Sequence, residues 1–92
     1  MYEITYSAQS RKSFRKLRGS GRFDEQAVAF VINELLAGNL LAVQYRTHLL
    51  HGEYAGCFEC HIKSNLLLIY KVEETDKVIT IIDIGSHSDL FG

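Results

Sequence analysis

The pattern of apolar and polar positions changes period twice along the chain. "YEITYS" (2–7) alternates and carries aromatic and β-branched residues, which predicts an opening strand. Ser7 is placed to cap a short helix over "AQSRKSFRKLR" (8–18), with Phe14 and Leu17 on one side, and "GSG" (19–21) ends it. A second helix starts at Asp24 as N-cap, with Phe23 and Val28 forming a hydrophobic staple. Val28, Val31, Ile32, Leu35 and Leu36 recur at helical spacing, and Gly38 sits where a left-handed cap belongs.

From residue 39 the helical period is lost. "NLLAVQYRTHLLHGEYAG" reads as a connector with a short strand or turn near His48–His51. "CFECHIK" (57–63) alternates, placing Phe58, Cys60 and Ile62 on one face and Glu59, His61 and Lys63 on the other. Ser64–Asn65 turn the chain into the apolar run "LLLIYKV" (66–72), a central strand. "EETDK" (73–77) makes a hairpin turn, and "VITIIDI" (78–84) is the last strand. The class is α+β: an N-terminal strand, an α-helical hairpin, then an antiparallel sheet ending in a short C-terminal helix or turn. The helices are expected to cover one sheet face and leave the other free and concave.

Composition narrows this picture. Ninety-two residues with 47% hydrophobic content make one domain spanning 1–92. No apolar run approaches a membrane span, no signal-peptide pattern opens the chain, and a cytoplasmic protein without a membrane partner is expected. Charge is unevenly spread. Residues 1–22 carry six basic side chains (Arg11, Lys12, Arg15, Lys16, Arg18, Arg22) against Glu3 alone; with a net charge of −1 overall, the remainder is −6. Such a segment is either a solvated helix face or a contact surface for an anionic partner.

Candidate chemistry comes from histidine rather than cysteine. "CFECH" (57–61) fits the C-x-x-C-H haem-attachment pattern, yet strand geometry sends Cys57 and Cys60 to opposite faces, so they share no metal or haem. Neither a metal nor another cofactor is expected. Four histidines, His48, His51, His61 and His87, lie in the C-terminal half. Imidazole suits acid–base work near neutral pH. Cleavage of RNA needs such work twice: a base for the ribose 2′-OH, and an acid for the departing 5′ oxygen. A cation or donor must also hold the phosphorane charge.

"YRTHLLHGEYAG", "ECHIKSNLLLIYKV" and "IIDIGSHSDLFG" resemble the C-terminal half of the YafQ branch of the RelE-like toxins from bacterial toxin–antitoxin systems. "YSAQSRKSFRKL" is similar to that family's first strand and basic helix, so the resemblance spans nearly the whole chain. It implies a RelE-like fold and a ribosome-dependent mRNA endonuclease, with ribosome, mRNA and a cognate antitoxin as partners. It places the catalytic histidines at His48, His61 and His87, with His87 the general acid and the other two supplying the base and orienting the 2′-OH or phosphate. Phe91 falls on the terminal aromatic beside the substrate base. Asn65 stands where the family often has an acid, Leu66 where it has an aromatic, Thr47 where an acid precedes the first histidine, and Phe58–Glu59 where an Arg–acid pair precedes the second.

Asp83 replaces an arginine that would stabilise the phosphorane. Arg46 or Lys63, the latter on the strand face of His61, are the expected substitutes; alternatively Asp83 pairs with His87. The helix residues Arg11, Lys12, Arg15, Lys16 and Arg18 are expected to touch nucleic acid or antitoxin. The alternative reading is a RelE-like binding module that keeps antitoxin or ribosome binding and has lost cleavage.

Overall fold

The computed structural model describes residues 1–21 and 23–92; Arg22, counted above with the basic segment, lies outside the described residues. The elements run β1 (Glu3–Tyr6), α1 (Ala8–Ser20), α2 (Glu25–Leu36), β2 (His48–Leu49), β3 (Phe58–Lys63), β4 (Leu66–Glu73), β5 (Val78–Gly85) and α3 (His87–Phe91). Short 3₁₀ turns occupy Val43–Tyr45 and Gly52–Tyr54 in the connector. The sheet order is β1-β5-β4-β3-β2. The three C-terminal strands and β2 pair antiparallel as expected. β1 instead pairs parallel to β5, Glu3 to Val78 through Tyr6 to Ile81, because the α-hairpin carries the chain back across the sheet before β5 is laid beside it.

The helix boundaries follow local chemistry. Ser7 Oγ accepts the Ser10 N–H at 3.0 Å and donates to the Ile82 carbonyl at 2.6 Å, so one hydroxyl caps α1 and clips it to β5. α1 runs through Gly19 to Ser20, two residues past the expected break, and Gly21 at φ 73° provides the left-handed stop. Asp24 caps α2 by accepting the Ala27 N–H at 3.0 Å. At its far end Gly38 N–H bonds the Leu35 carbonyl and Asn39 N–H the Glu34 carbonyl, each at 3.0 Å, with Gly38 at φ 78°. This is the paired closure expected of a glycine one residue past the C-cap, Ala37.

Burial is unequal on the two faces. The helix-facing core gathers Phe14, Val28, Val31, Leu35, Cys60, Ile62, Leu68, Tyr70, Ile79, Ile81 and Ile84, with Phe23 packed against it. The opposite face is not left free along its length. Cys57, Leu67, Ile69 and Leu90 are buried there, with Leu50, Tyr54 and Ile82 against them, because α3 and the Gly52–Tyr54 turn fold over that end. The two cysteines are unbridged and belong to different cores, as the alternation requires. Burial pushes the Cys60 thiol up to about 12, so it stays a protonated packing group at neutral pH.

Candidate active site

Two small constellations lie on the face opposite the α-hairpin, separated by β4. The first is a row across the sheet edge. His48 pairs with Glu59 and Glu59 with Ile69, while His61 sits two residues beyond Glu59 opposite Leu67. Directly paired residues share a face, as do residues two apart on a strand. Glu59 Oε1 therefore lies 3.3 Å from His48 Nε2 and 3.4 Å from His61 Nε2, with the two rings 6.4 Å apart. His48 Nδ1 is 2.8 Å from the Arg46 carbonyl oxygen, which only accepts, so Nδ1 carries a proton and the ring's reactive edge is Nε2. Glu59 is 4% exposed, and its Oε2 is buried without a hydrogen-bond partner.

The second constellation is α3. Ser86 caps it: Ser86 Oγ accepts the Asp89 N–H at 3.1 Å and Asp89 Oδ2 accepts the Ser86 N–H at 3.0 Å. That bond holds the Asp89 carboxyl below its ordinary range. Gly85 is tightly packed, since a Cβ there would stand 3.0 Å from that of Asp89. His87 is exposed. Its backbone N–H donates to Asn65 Oδ1 at 3.2 Å, and its ring lies 5.2 Å from that of Phe91. Tyr54 meets Phe91 edge-on at 5.9 Å, so the loop after β2 braces α3 from the other side.

Several residues fall elsewhere than the sequence reading places them. Lys63 does not share the His61 site. A bulge after His61 makes Ile62 the extra residue and sets Lys63 opposite Leu66, which packs toward the helices; its ammonium pairs with Asp24 at 2.6 Å at the start of α2. Asp83 does not pair with His87. A second bulge leaves Ile82 unpaired, and the buried Asp83 Oδ1 accepts the Ser13 hydroxyl of α1 at 2.5 Å and the Ile84 N–H at 2.8 Å. Arg46, at φ 52°, holds His48 through its carbonyl, and the residue is exposed. Lys12 and Lys16 line a groove of about 710 Å³ with Asn65, Ser86 and Asp89; Arg11, Arg15 and Arg18 line a different one. Glu59 is the residue sequence reasoning passed over. The signal was present, since the period of two places it on His61's face, but only the structure shows that it is buried between both rings. Among the described residues no three His, Cys, Asp or Glu side chains are grouped to hold a metal ion.

A RelE-like α+β sheet bearing paired imidazoles and a histidine on a short terminal helix defines a bacterial toxin class. The family of bacterial toxins of type II toxin–antitoxin systems, YafQ, matches residues 2–92, and the chain belongs to that family. It is 32% identical over 91 residues to the mRNA interferase toxin YafQ of Escherichia coli K12, covering 98% of this chain and 96% of that one. A copper-bound mutant toxin from Helicobacter pylori superposes with a TM-score of 0.90 at 34% identity, over 99% of this chain and all of the other. The E. coli DinJ–YafQ complex gives 0.86 at 28% identity over the full length of both chains.

Proposed function

We infer that this toxin is an endoribonuclease, an mRNA interferase that cuts messenger RNA on the ribosome in the cytoplasm and is silenced by a cognate antitoxin. Its YafQ relative bears the name mRNA interferase, and the neighbouring complex joins YafQ to DinJ, which supports both the activity and the partner. No described helix is long and apolar enough to cross a membrane. The observation that carries the chemistry is the Glu59 carboxylate between His48 and His61.

The reading is an acid–base cleavage. His48 takes the 2′-OH proton on Nε2, and the resulting imidazolium is held by Glu59 at one end and the Arg46 carbonyl at the other. His61, against the same carboxylate oxygen, orients the 2′-OH or the phosphate. The 2′ oxygen bonds to phosphorus, and His87 gives its proton to the leaving 5′ oxygen. The products are a 2′,3′-cyclic phosphate and a free 5′-OH. Phe91 stacks beside the base, and Asn65 fixes the backbone of His87. Arg46, two residues before His48, supplies the cation for the phosphate, and Lys12 and Lys16 guide the strand along their groove toward Asn65. The family arginine at Asp83 is thus replaced in charge but not in place.

The test is cleavage of mRNA on programmed ribosomes with 3′ ends mapped, for this protein and for His87→Ala. Cuts ending in 2′,3′-cyclic phosphate, reduced about 10²–10⁴-fold in the variant, are expected. No cuts by folded, antitoxin-free protein would leave the binding-module reading instead.

A further inference from the structure

The lysine groove of about 710 Å³ runs between α1 and the start of α3, and β5 joins its two walls. On the α1 side, Ser7 Oγ donates to the Ile82 carbonyl and Ser13 Oγ to Asp83 Oδ1. Three residues after Asp83 comes Ser86, the cap of α3 on the other side. Lys12 and Lys16, one turn apart on the first wall, are therefore held at a set distance from the second. Within the groove Lys63 and Asp24 satisfy each other, and Asp83 is only 6% exposed with its Oδ1 already taken by Ser13 and the Ile84 N–H. Asp89 accepts the Ser86 N–H. Lys12 and Lys16 form no ion pair among the described residues. The accessible balance is two free ammonium groups against Asp89 alone, which suits an anionic ligand.

We propose that this groove is the subsite for the RNA on the 3′ side of the cut, with Lys12 and Lys16 binding the phosphates that follow the broken bond; the inference rests on the acid–base assignment above. One end of the groove lies at His87: Asn65 lines it and accepts the His87 N–H at 3.2 Å, and Ser86 directly precedes that histidine. None of His48, Glu59 and His61 lines it. The polarity follows from the chemistry. The 2′-OH that attacks belongs to the nucleotide 5′ of the cut, and the oxygen that departs belongs to the nucleotide 3′ of it. The group that protonates the departing oxygen must stand on the 3′ side, so the strand leaves the site past His87 and enters the groove. Side chains four apart on a helix stand about 5–6 Å from one another at Cβ, within reach of neighbouring phosphates on one strand. The strand is thus gripped on both sides of the reacting bond, which holds the departing oxygen at the His87 ring. Lys12 and Lys16 are positioning residues that set the direction of the message across the sheet.

The experiment measures single-turnover cleavage on programmed ribosomes as toxin concentration is raised. The mRNA carries either phosphates throughout or one neutral methylphosphonate, at the next linkage 3′ of the cut or the next one 5′ of it. The wild-type protein is compared with Lys12→Gln/Lys16→Gln and Lys12→Arg/Lys16→Arg, and circular dichroism checks the fold of each. On all-phosphate mRNA the glutamine variant should need about tenfold more toxin for half-maximal rate, with the saturated rate within about twofold. The arginine variant should recover most of that loss. The 3′ methylphosphonate should cost the wild type the same factor and the glutamine variant little more, because both changes remove one contact, while the 5′ methylphosphonate should affect the two proteins alike. A 3′ methylphosphonate that leaves the wild type unaffected would overturn the proposal. So would one that costs the glutamine variant as much as the wild type, which would assign the lysines to ribosomal RNA, and so would coupling of the lysines to the 5′ linkage. Absence of cuts in all-phosphate mRNA by the wild-type protein would sink the nuclease reading first, and this proposal with it.

Discussion

The two halves of the candidate site are built to different tolerances. His48, Glu59 and His61 stand on paired strands, with Glu59 buried and His48 tied to a backbone carbonyl. His87 rides on a five-residue helix held by Leu90 below, Asn65 at its start and Tyr54 through Phe91. The His48–His61 half is fixed by the sheet, so its geometry fails only when the fold fails. The His87 half depends on a few contacts that can be cut one at a time without unfolding the protein. The two halves should therefore respond differently to mutation: chemistry without stability on one, positioning on the other.

Glu59→Gln should show the largest separation. Losing the charge between the two imidazoles is expected to lower the single-turnover cleavage rate about 10²–10³-fold. Stability should hold or rise in a thermal melt, since a neutral amide is cheaper to bury than a carboxylate with an unpartnered oxygen. A stability loss as large as a core truncation would make Glu59 a structural residue instead. Next, Leu68→Ala and Leu90→Ala remove the same atoms from the two cores. The first should cost about 3–5 kcal/mol in denaturant unfolding and the second about 2 kcal/mol, with cleavage by folded protein lost only in the second. Equal effects would mean that α3 is as firmly set as the sheet.

Asn65→Ala removes the acceptor that holds the His87 N–H. It should cost about 1 kcal/mol and reduce cleavage several-fold, while Asn65→Asp restores the acceptor and most of the rate. The smallest effect concerns Asp24, which pairs with Lys63 at the start of α2 and touches none of the histidines. Lys63 and the Ala27 N–H hold its carboxyl below the ordinary range. A depressed folded-state value contributes stability above the unfolded value, about pH 4, that is lost as pH falls through the folded one. Asp24→Asn keeps the cap and should flatten that acid limb in melts between about pH 2 and pH 6, leaving cleavage at neutral pH unchanged.

The same contrast explains what could be read from the sequence. The α-hairpin was legible because its signals are local: Asp24, the Phe23–Val28 spacing, the apolar stripe and Gly38 each act within a few residues. The alternation in "CFECHIK" correctly parted Cys57 from Cys60 and put Glu59 with His61. It failed at Lys63 because that residue follows a bulge, and an inserted residue reverses the face of what comes after without leaving a mark in composition; a second bulge precedes Asp83, whose pairing with His87 was expected from the resemblance rather than from alternation. Gly19 gave no stop because a glycine ends a helix only where the backbone turns left-handed, and that happens at Gly21. The parallel docking of β1 and the folding of α3 over Leu67 and Ile69 rest on contacts some seventy and twenty residues apart, beyond any local pattern.

The pairing of β1 with β5 has a consequence in time. Among the described residues Glu3–Tyr6 has its one strand partner at Val78–Ile81, so the first strand waits on the last to complete the sheet. While a ribosome is still making this chain, its exit tunnel shields the stretch most recently joined, and β5 and His87 emerge only after the sheet's other strands. A nascent copy therefore carries His48 and His61 in an unfinished fold before His87 can join them. The sheet is completed from its last strand, and the two constellations meet only then.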